Sequence, residues 1–193
     1  MATSPKPGLQ AAQLPEGDVI RILLDQHARI EELFGQIHRA TGKRKQEKFD
    51  ELRRLLAAHK AAEEMVLRPL TRVAPGGGDI ANARNHEEHM ATHLLAELEK
   101  MELPSQDFAD GLAEFEAKVV RHARQEEAEE FPLILQSRSE QQRVWLGRGL
   151  HAAQTLAPTH PHPAAAGSTA AQYVLGPFAS LLDHARDVMR KSA

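Results

Sequence analysis

The 193-residue sequence contains no cysteine, which excludes disulfides, zinc–thiolate sites, iron–sulfur clusters and thiol catalysis. Aromatic residues make up only 4% of the chain, and β-branched residues are sparse beside alanine, leucine, glutamate and arginine, so a β-sandwich or β-barrel is not expected. Basic residues are not in excess either, because 24 lysines and arginines face 27 aspartates and glutamates. The resulting net charge of −3 offers no surplus to neutralise phosphates, so we expect no nucleic-acid partner.

Long apolar runs are also missing from the sequence. No run approaches the roughly 18 residues of a membrane-spanning helix, so we expect no membrane association. The segment from Met1 to Gly8 has no apolar stretch after its charged residue and does not have the pattern of a signal peptide. We therefore expect a cytoplasmic protein.

Four long segments have apolar residues spaced by three and four positions, which predicts amphipathic helices. Their expected ranges are 18–40, 45–68, 79–101 and 106–131, with Pro69 and Pro132 ending the second and fourth helices. Short connections make consecutive helices antiparallel, so the sequence predicts an all-α fold, an up-down-up-down four-helix bundle over residues 17–133. Residues 1–16, with three prolines, are expected to be a flexible N-terminal segment.

The last part of the chain, residues 134–193, is expected to be a helical extension of the bundle. It has one helical segment over 139–156, a Pro/His-rich loop from residue 157, and a final helix that begins near Pro177. Because it is too short to form a separate domain, we expect it to pack against the bundle.

Histidine is unusually frequent, with 11 residues, and two of them belong to an internal repeat. The second and fourth predicted helices both carry His-x-x-x-Glu-Glu, followed by proline at the tenth position after the histidine, as His59, Glu63 and Pro69 and again as His122, Glu126 and Pro132. One helix earlier in each half there is a further histidine, His27 or His89. The chain therefore has the pattern of two helical hairpins with matching polar residues.

The spacing of this repeat has a direct chemical meaning. Residues four apart lie on the same face of a helix, about 6 Å from each other, so that an imidazole and a carboxylate can reach one ion. A single pair of this kind is usually an ordinary surface interaction, but two pairs in matching register would bring four histidines and two glutamates to one level. Such a set exceeds the needs of one tetrahedral zinc ion and suits two octahedral ions. Burying these groups without partners or a cation would cost several kcal/mol.

At these positions the sequence resembles the hemerythrin-like family of HHE cation-binding domains. The resemblance covers about residues 17–133 and is carried by the segment His27 to Phe34, by both His-x-x-x-Glu-Glu motifs with their prolines, and by Glu88-His89. It implies a non-haem centre of two iron ions with an oxo or hydroxo bridge. By this resemblance one iron is bound by His27 and His59, the other by His89 and His122, and the two are bridged by Glu63 and Glu126.

Some ligand assignments remain open at this stage. The family's oxygen carriers have His-x-x-x-His on the third helix, which makes His93 a further candidate ligand beside His89, while His86 could replace His89. On the fourth helix Glu126 follows the repeat, but Glu127 has the spacing that the oxygen carriers use for a bridging aspartate. Zinc or manganese in place of iron also remains open.

The resemblance implies a protein that binds or reacts with a small-molecule ligand, namely oxygen, peroxide or nitric oxide, with weak peroxide turnover as one form of that chemistry. The alternative is a regulatory or binding module that responds to iron or oxygen without turnover. No output domain is evident in the sequence, and this favours the first hypothesis.

Overall fold

The computed structural model describes residues 10–156 of the chain. The first nine residues, the expected Pro/His-rich loop and the expected final helix lie outside this range. The helices, in chain order, are α1 to α7: Val19–Arg39, Gly42–Ala62, Arg68–Val73, Gly77–Leu98, Gln106–Gln125, Phe131–Ser137 and Glu140–Leu156. A short 3₁₀ helix, Ala11–Gln13, precedes them, and no strand is present in the described range. The predicted all-α helical bundle is confirmed.

The long helices begin where the local sequence provides a cap or a tight turn. The carboxylate of Asp18 accepts a hydrogen bond from the backbone N–H of Ile20, and the Ser105 hydroxyl accepts one from the N–H of Phe108. These side chains satisfy N–H groups that the first turn of a helix leaves free. Gly76 precedes α4 with a φ of 75°, a left-handed conformation that favours glycine.

The predicted ends of the second and fourth helices at Pro69 and Pro132 are wrong, because both helices continue past these residues. A π-helical turn, Glu63–Leu67, joins α2 to α3, and a second one, Glu126–Glu130, joins α5 to α6. Each proline lies at the first or second position of the α-helix that follows the π turn. In this position proline permits the helix to continue.

Two hydrophobic clusters form the core, one towards each end of the bundle. The first is built around the start of α1 and includes Val19, Leu23, Leu67, Phe131 and Leu150. The second contains Leu33, Phe34, Phe49, Phe108 and Phe115, together with other residues of α1, α2, α4 and α5. The α1 residues of the two clusters lie on either side of His27, so the buried polar groups form a layer between them.

Helix α7 packs on the bundle, as expected for the described part of the extension. Leu150 lies in the first hydrophobic cluster, and Arg143 Nε donates to Asp18 Oδ2 over 2.7 Å. Gly147 faces the backbone of Gly17 so closely that a Cβ atom at position 147 would lie 2.0 Å from the Gly17 carbonyl oxygen. Close contact of α7 with this part of the bundle therefore requires glycine. Among the described helices, none is long and apolar enough to cross a membrane.

Candidate metal centre

Five of the seven predicted ligands converge in the polar layer between the two hydrophobic clusters. They are His27 on α1, His59 on α2, His122 on α5, and Glu63 and Glu126 at the first positions of the two π turns. Glu63 and Glu126 are fully buried. Helical spacing brings each histidine to its partner, since Nε2 of His59 lies 3.2 Å from Glu63 Oε1 and Nε2 of His122 lies 3.2 Å from Glu126 Oε1.

The donor atoms fall into two groups, each with one donor atom per residue and all within 4.8 Å of one another. The first subsite consists of His27, His59, Glu63 and Glu126, and the second consists of Glu63, Glu88, His122 and Glu126. Both groups contain Glu63 and Glu126, and a carboxylate can offer one oxygen to each of two neighbouring ions. The arrangement is therefore suited to a pair of adjacent cations.

Several of these donor atoms are buried without a hydrogen-bond partner. In the described part of the chain they include Nε2 of His27, Nε2 of His122, both carboxylate oxygens of Glu63, and Oε2 of Glu126. Leaving a buried polar atom unsatisfied costs about 1–3 kcal/mol. Coordination to a metal ion would satisfy these atoms, so the residues present fit a metal centre.

The pKa values of the two shared carboxyl groups are shifted in opposite directions. Burial raises the pKa of Glu63 well above its usual value, and the negative charge of Glu126 raises it further. Burial also opposes ionisation of Glu126, but His122, His27 and Arg68 outweigh it and hold the pKa of Glu126 well below its usual value. The negative charge of Glu126 therefore favours the protonated form of Glu63.

A second set of residues orients the three histidines. Each donates from Nδ1 to a side-chain oxygen, so that Nε2 faces the centre: His27 to Glu127 over 2.8 Å, His59 to Gln26 over 2.8 Å, and His122 to Glu87 over 2.9 Å. Such partners fix the ring orientation of metal-binding histidines. Glu127, the alternative to Glu126, is therefore placed beside His27 and outside both donor groups.

The structure does not bring His89 and His93 into either donor group. Both side chains are exposed on α4, with their Nε2 atoms 3.1 Å apart, and His86 is also exposed. Glu88 points inward in their place and is only 5% exposed. The sequence did not single out Glu88, because the buried face of α4 includes charged residues and is evident only from packing; its members are spaced by three, four and seven: Ala81, Arg84, Glu88, Leu95 and Leu98.

Arg68 is a central residue of the site that sequence reasoning missed. Its Nη2 donates to Glu126 Oε1 over 2.6 Å and to Glu88 Oε1, and it lies 3.5 Å from Glu63 Oε2. Its Nη1 donates to Glu130, whose other oxygen accepts from the Thr71 hydroxyl over 2.5 Å. Burial opposes the charge of Arg68, but the surrounding carboxylates outweigh it and raise the pKa of the guanidinium.

A cavity of about 70 Å³ opens beside the polar layer. Apolar residues line much of it, together with the three histidines: Ile30, Leu56, Leu95, Phe115, Val119, His27, His59 and His122. This volume has room for a few water-sized molecules. A small, uncharged molecule in the cavity would therefore reach the donor atoms through apolar surroundings.

The chain is similar in sequence to one family model and to several known proteins. A family model described as the Hemerythrin HHE cation binding domain matches residues 18–134. A hemerythrin-like protein of Schizosaccharomyces pombe is 28% identical over 138 residues, which cover 70% of this chain and 68% of that protein. A DNA nickase of Nostoc sp. is 32% identical over 130 residues, and this match covers 66% of the chain but only 36% of the nickase.

A crystal structure of a hemerythrin HHE cation-binding-domain protein from Mycobacterium kansasii has the same fold. Its TM-score is 0.65, and the match covers 72% of this chain and 85% of that one. At 19% identity the likeness shows the fold alone. The family-model match spans more than half of the chain and includes both donor groups. The chain therefore belongs to the hemerythrin HHE cation-binding-domain family.

Proposed function

We propose that this chain is a non-haem di-iron protein that binds or reacts with oxygen, peroxide or nitric oxide. The observation that carries this proposal is the pair of donor groups that share Glu63 and Glu126 beside an apolar cavity. A site for one ion would need only one of these groups.

The donor set supports iron as the metal. The first subsite offers two imidazoles and two carboxylates, and the second offers one imidazole and three carboxylates. Mixed nitrogen and oxygen donors without sulfur suit iron or manganese in six-coordinate sites. We assign His27 and His59 to the first ion, His122 and Glu88 to the second, and Glu63 and Glu126 to both.

The protein's own groups would prepare the site for a small ligand. Iron, when bound, would supply one-electron redox chemistry, and the apolar walls formed by Leu56, Phe115 and Val119 would limit water at the donor atoms. The hydrogen bonds at the three Nδ1 atoms hold the histidine rings in place, so that ligand binding would require little reorganisation.

Metal analysis and rapid mixing test the proposal. Protein from iron-replete cells should contain about two iron ions per chain, and its oxidised form should show near-ultraviolet charge-transfer absorption. The reduced protein should change its absorbance when it is mixed with oxygen, peroxide or nitric oxide. Glu126→Ala should lose metal, whereas His93→Ala is the matched control and should keep it, because His93 is exposed.

Other outcomes would contradict the proposal. Stoichiometric zinc without iron would refute the redox assignment, and one ion per chain would refute the dinuclear one. Two iron ions that bind but give no response to any of the three small molecules would favour the regulatory alternative.

A further inference from the structure

The internal repeat places different residues over the two shared carboxylates. Arg68 follows Glu63 by five positions, and Phe131 follows Glu126 by the same number. In each case the later residue's backbone N–H donates to the carbonyl of the glutamate across a π turn. An α-helix would turn the fifth residue about 140° away from the first, but the wider π turn brings the two onto the same face.

At the second subsite this geometry delivers a positive charge to the donor atoms. Nη2 of Arg68 contacts Oε1 of Glu88 and Oε1 of Glu126. The same two oxygens face Nε2 of His122, at 3.9 and 3.2 Å respectively. The guanidinium therefore uses the oxygens that a cation in the second subsite would need.

At the first subsite the corresponding residue is apolar. The ring of Phe131 stacks on His27, with ring centroids 5.6 Å apart and planes 14° from parallel. Oε1 of Glu63 and Nε2 of His27 remain without hydrogen-bond partners there. The two subsites share their bridging carboxylates and differ in what neutralises them.

Given the proposed dinuclear function, we propose that Arg68 acts as a resident counter-cation of the second subsite, on Oε1 of Glu88 and of Glu126, and makes metal loading sequential. Lys60 pairs with the other oxygen of Glu88. The first ion enters the His27–His59 subsite, where the facing carboxylate oxygens, Glu63 Oε1 and Glu126 Oε2, have no hydrogen-bond partner. The second ion binds only when it displaces the guanidinium from Glu88 and Glu126.

Glu130 provides the position to which the displaced guanidinium retreats. Its carboxylate already pairs with Nη1 of Arg68 and is held by the Thr71 hydroxyl. It belongs to neither donor group, so it keeps Arg68 paired while the second ion takes the other oxygens. No buried charge is left without a partner during the exchange.

Titration of the metal-free 193-residue chain with Mn²⁺ tests this inference without any activity measurement. Calorimetry should resolve two steps whose dissociation constants differ by at least tenfold. Electron paramagnetic resonance should show an isolated Mn²⁺ spectrum after one equivalent and an exchange-coupled spectrum after two. In Arg68→Met the second step should tighten at least tenfold, so that coupled pairs appear before the first equivalent is complete.

Arg72→Met is the matched control. It removes the same charge one helical turn later, from an exposed side chain that donates a hydrogen bond to Asn82. The dissociation constants of both binding steps should therefore stay within twofold of the wild-type values. Because Arg68→Met leaves several buried carboxylates unneutralised, Arg68→Met/Glu130→Gln serves as a charge-balanced second variant. Circular dichroism verifies its fold, and it should show the same tightening.

The possible failures are distinguishable. Two ions that bind the wild type with equal affinity, or a second step that neither Arg68 variant tightens, would overturn the inference and leave the dinuclear proposal standing. A single ion in the wild type and in every variant would overturn both.

Discussion

Replacing Glu63 by glutamine should change the stability of the protein in opposite directions with and without metal. In the metal-free protein, with a chelator present, the substitution removes a buried carboxyl group whose two oxygens have no hydrogen-bond partner. The new amide can donate a hydrogen bond to the nearby Glu126 carboxylate. We expect a stabilisation of about 1 kcal/mol, at the lower end of the cost of an unsatisfied buried group. For a chain of this size that raises the melting temperature by about 2–4 °C.

With metal the same substitution should destabilise the protein. At a thousandfold excess over its dissociation constant, one ion stabilises the native state by about 4 kcal/mol. A hundredfold loss of affinity would remove about 2.7 kcal/mol of this. After the gain found in chelator is subtracted, a net loss of about 2 kcal/mol remains, which lowers the melting temperature by about 4–8 °C.

Thermal unfolding followed by circular dichroism, in EDTA and in excess Mn²⁺, is the assay. Glu64→Gln is the control, because Glu64 is adjacent, exposed and paired with Lys60 at the surface, and it should change stability by less than about 0.5 kcal/mol in either condition. Equal destabilisation of Glu63→Gln in both conditions would refute the reasoning, since Glu63 would then be a structural residue and not a ligand.

The pH dependence in chelator provides a second check on the same variant. Burial, together with Glu126, raises the pKa of Glu63, so this carboxyl group contributes stability below its unfolded pKa that is lost as the pH rises through its folded pKa. Glutamine has no such loss. The advantage of Glu63→Gln should therefore grow with pH above about 4.5, by at most about 1.4 kcal/mol per pH unit.

Three further predictions concern other residues of the site. Burial opposes protonation of His122, but Glu126 and the other acidic neighbours outweigh it and raise the pKa of His122 to about 10. In the metal-free protein, His122→Gln should therefore lower the free energy of unfolding most below pH 6.5, and this loss should shrink as the pH approaches 10. The double variant His89→Ala/His93→Ala should retain two ions by metal analysis, whereas Glu88→Gln should weaken the second ion at least tenfold in calorimetry; loss of metal only in the histidine variant would invert our ligand assignment. Ala91→Leu should fill part of the cavity and slow the reaction of reduced protein with oxygen at least tenfold at unchanged metal content, and an unchanged rate would mean that oxygen does not use this cavity.

The helices and the clustering of most candidate ligands were predictable from sequence because their signals are local. Apolar residues at spacings of three and four marked α1 and α5, and the capping side chains of Asp18 and Ser105 fixed their starts. The repeated His-x-x-x-Glu motifs predicted the buried donors because residues four apart necessarily share a helix face.

It was harder to predict which face of α4 points into the bundle. This helix has few large apolar residues, and much of its buried stripe consists of alanine, arginine and glutamate. A register based on Leu95 therefore did not distinguish His89 from Glu88, which point about 100° apart. Only packing against the bundle selects the inward residue.

The π turns could not be predicted because proline has two opposite meanings in a helix. Pro69 and Pro132 match the ordinary signal for a helix end, and only the structure shows that the preceding turn widens so that the helix continues. The role of Arg68 depends on that widening, because in an unbroken α-helix its side chain would lie away from Glu63.

Because of the π turns, the deletion of a single residue would change which charged side chain reaches the site. A π turn contains one residue more than the α-helical turn it replaces, so deletion of Met65 alone would restore a regular helix and swing Arg68 by about 100°. Gly76, which directly precedes α4 in a left-handed conformation, would absorb the resulting shift. A one-residue gap could thus remove the guanidinium from the carboxylates while every ligand kept its identity. Relatives that differ in length within Glu63–Leu67 or Glu126–Glu130 should therefore differ in metal affinity even where their histidines and glutamates align.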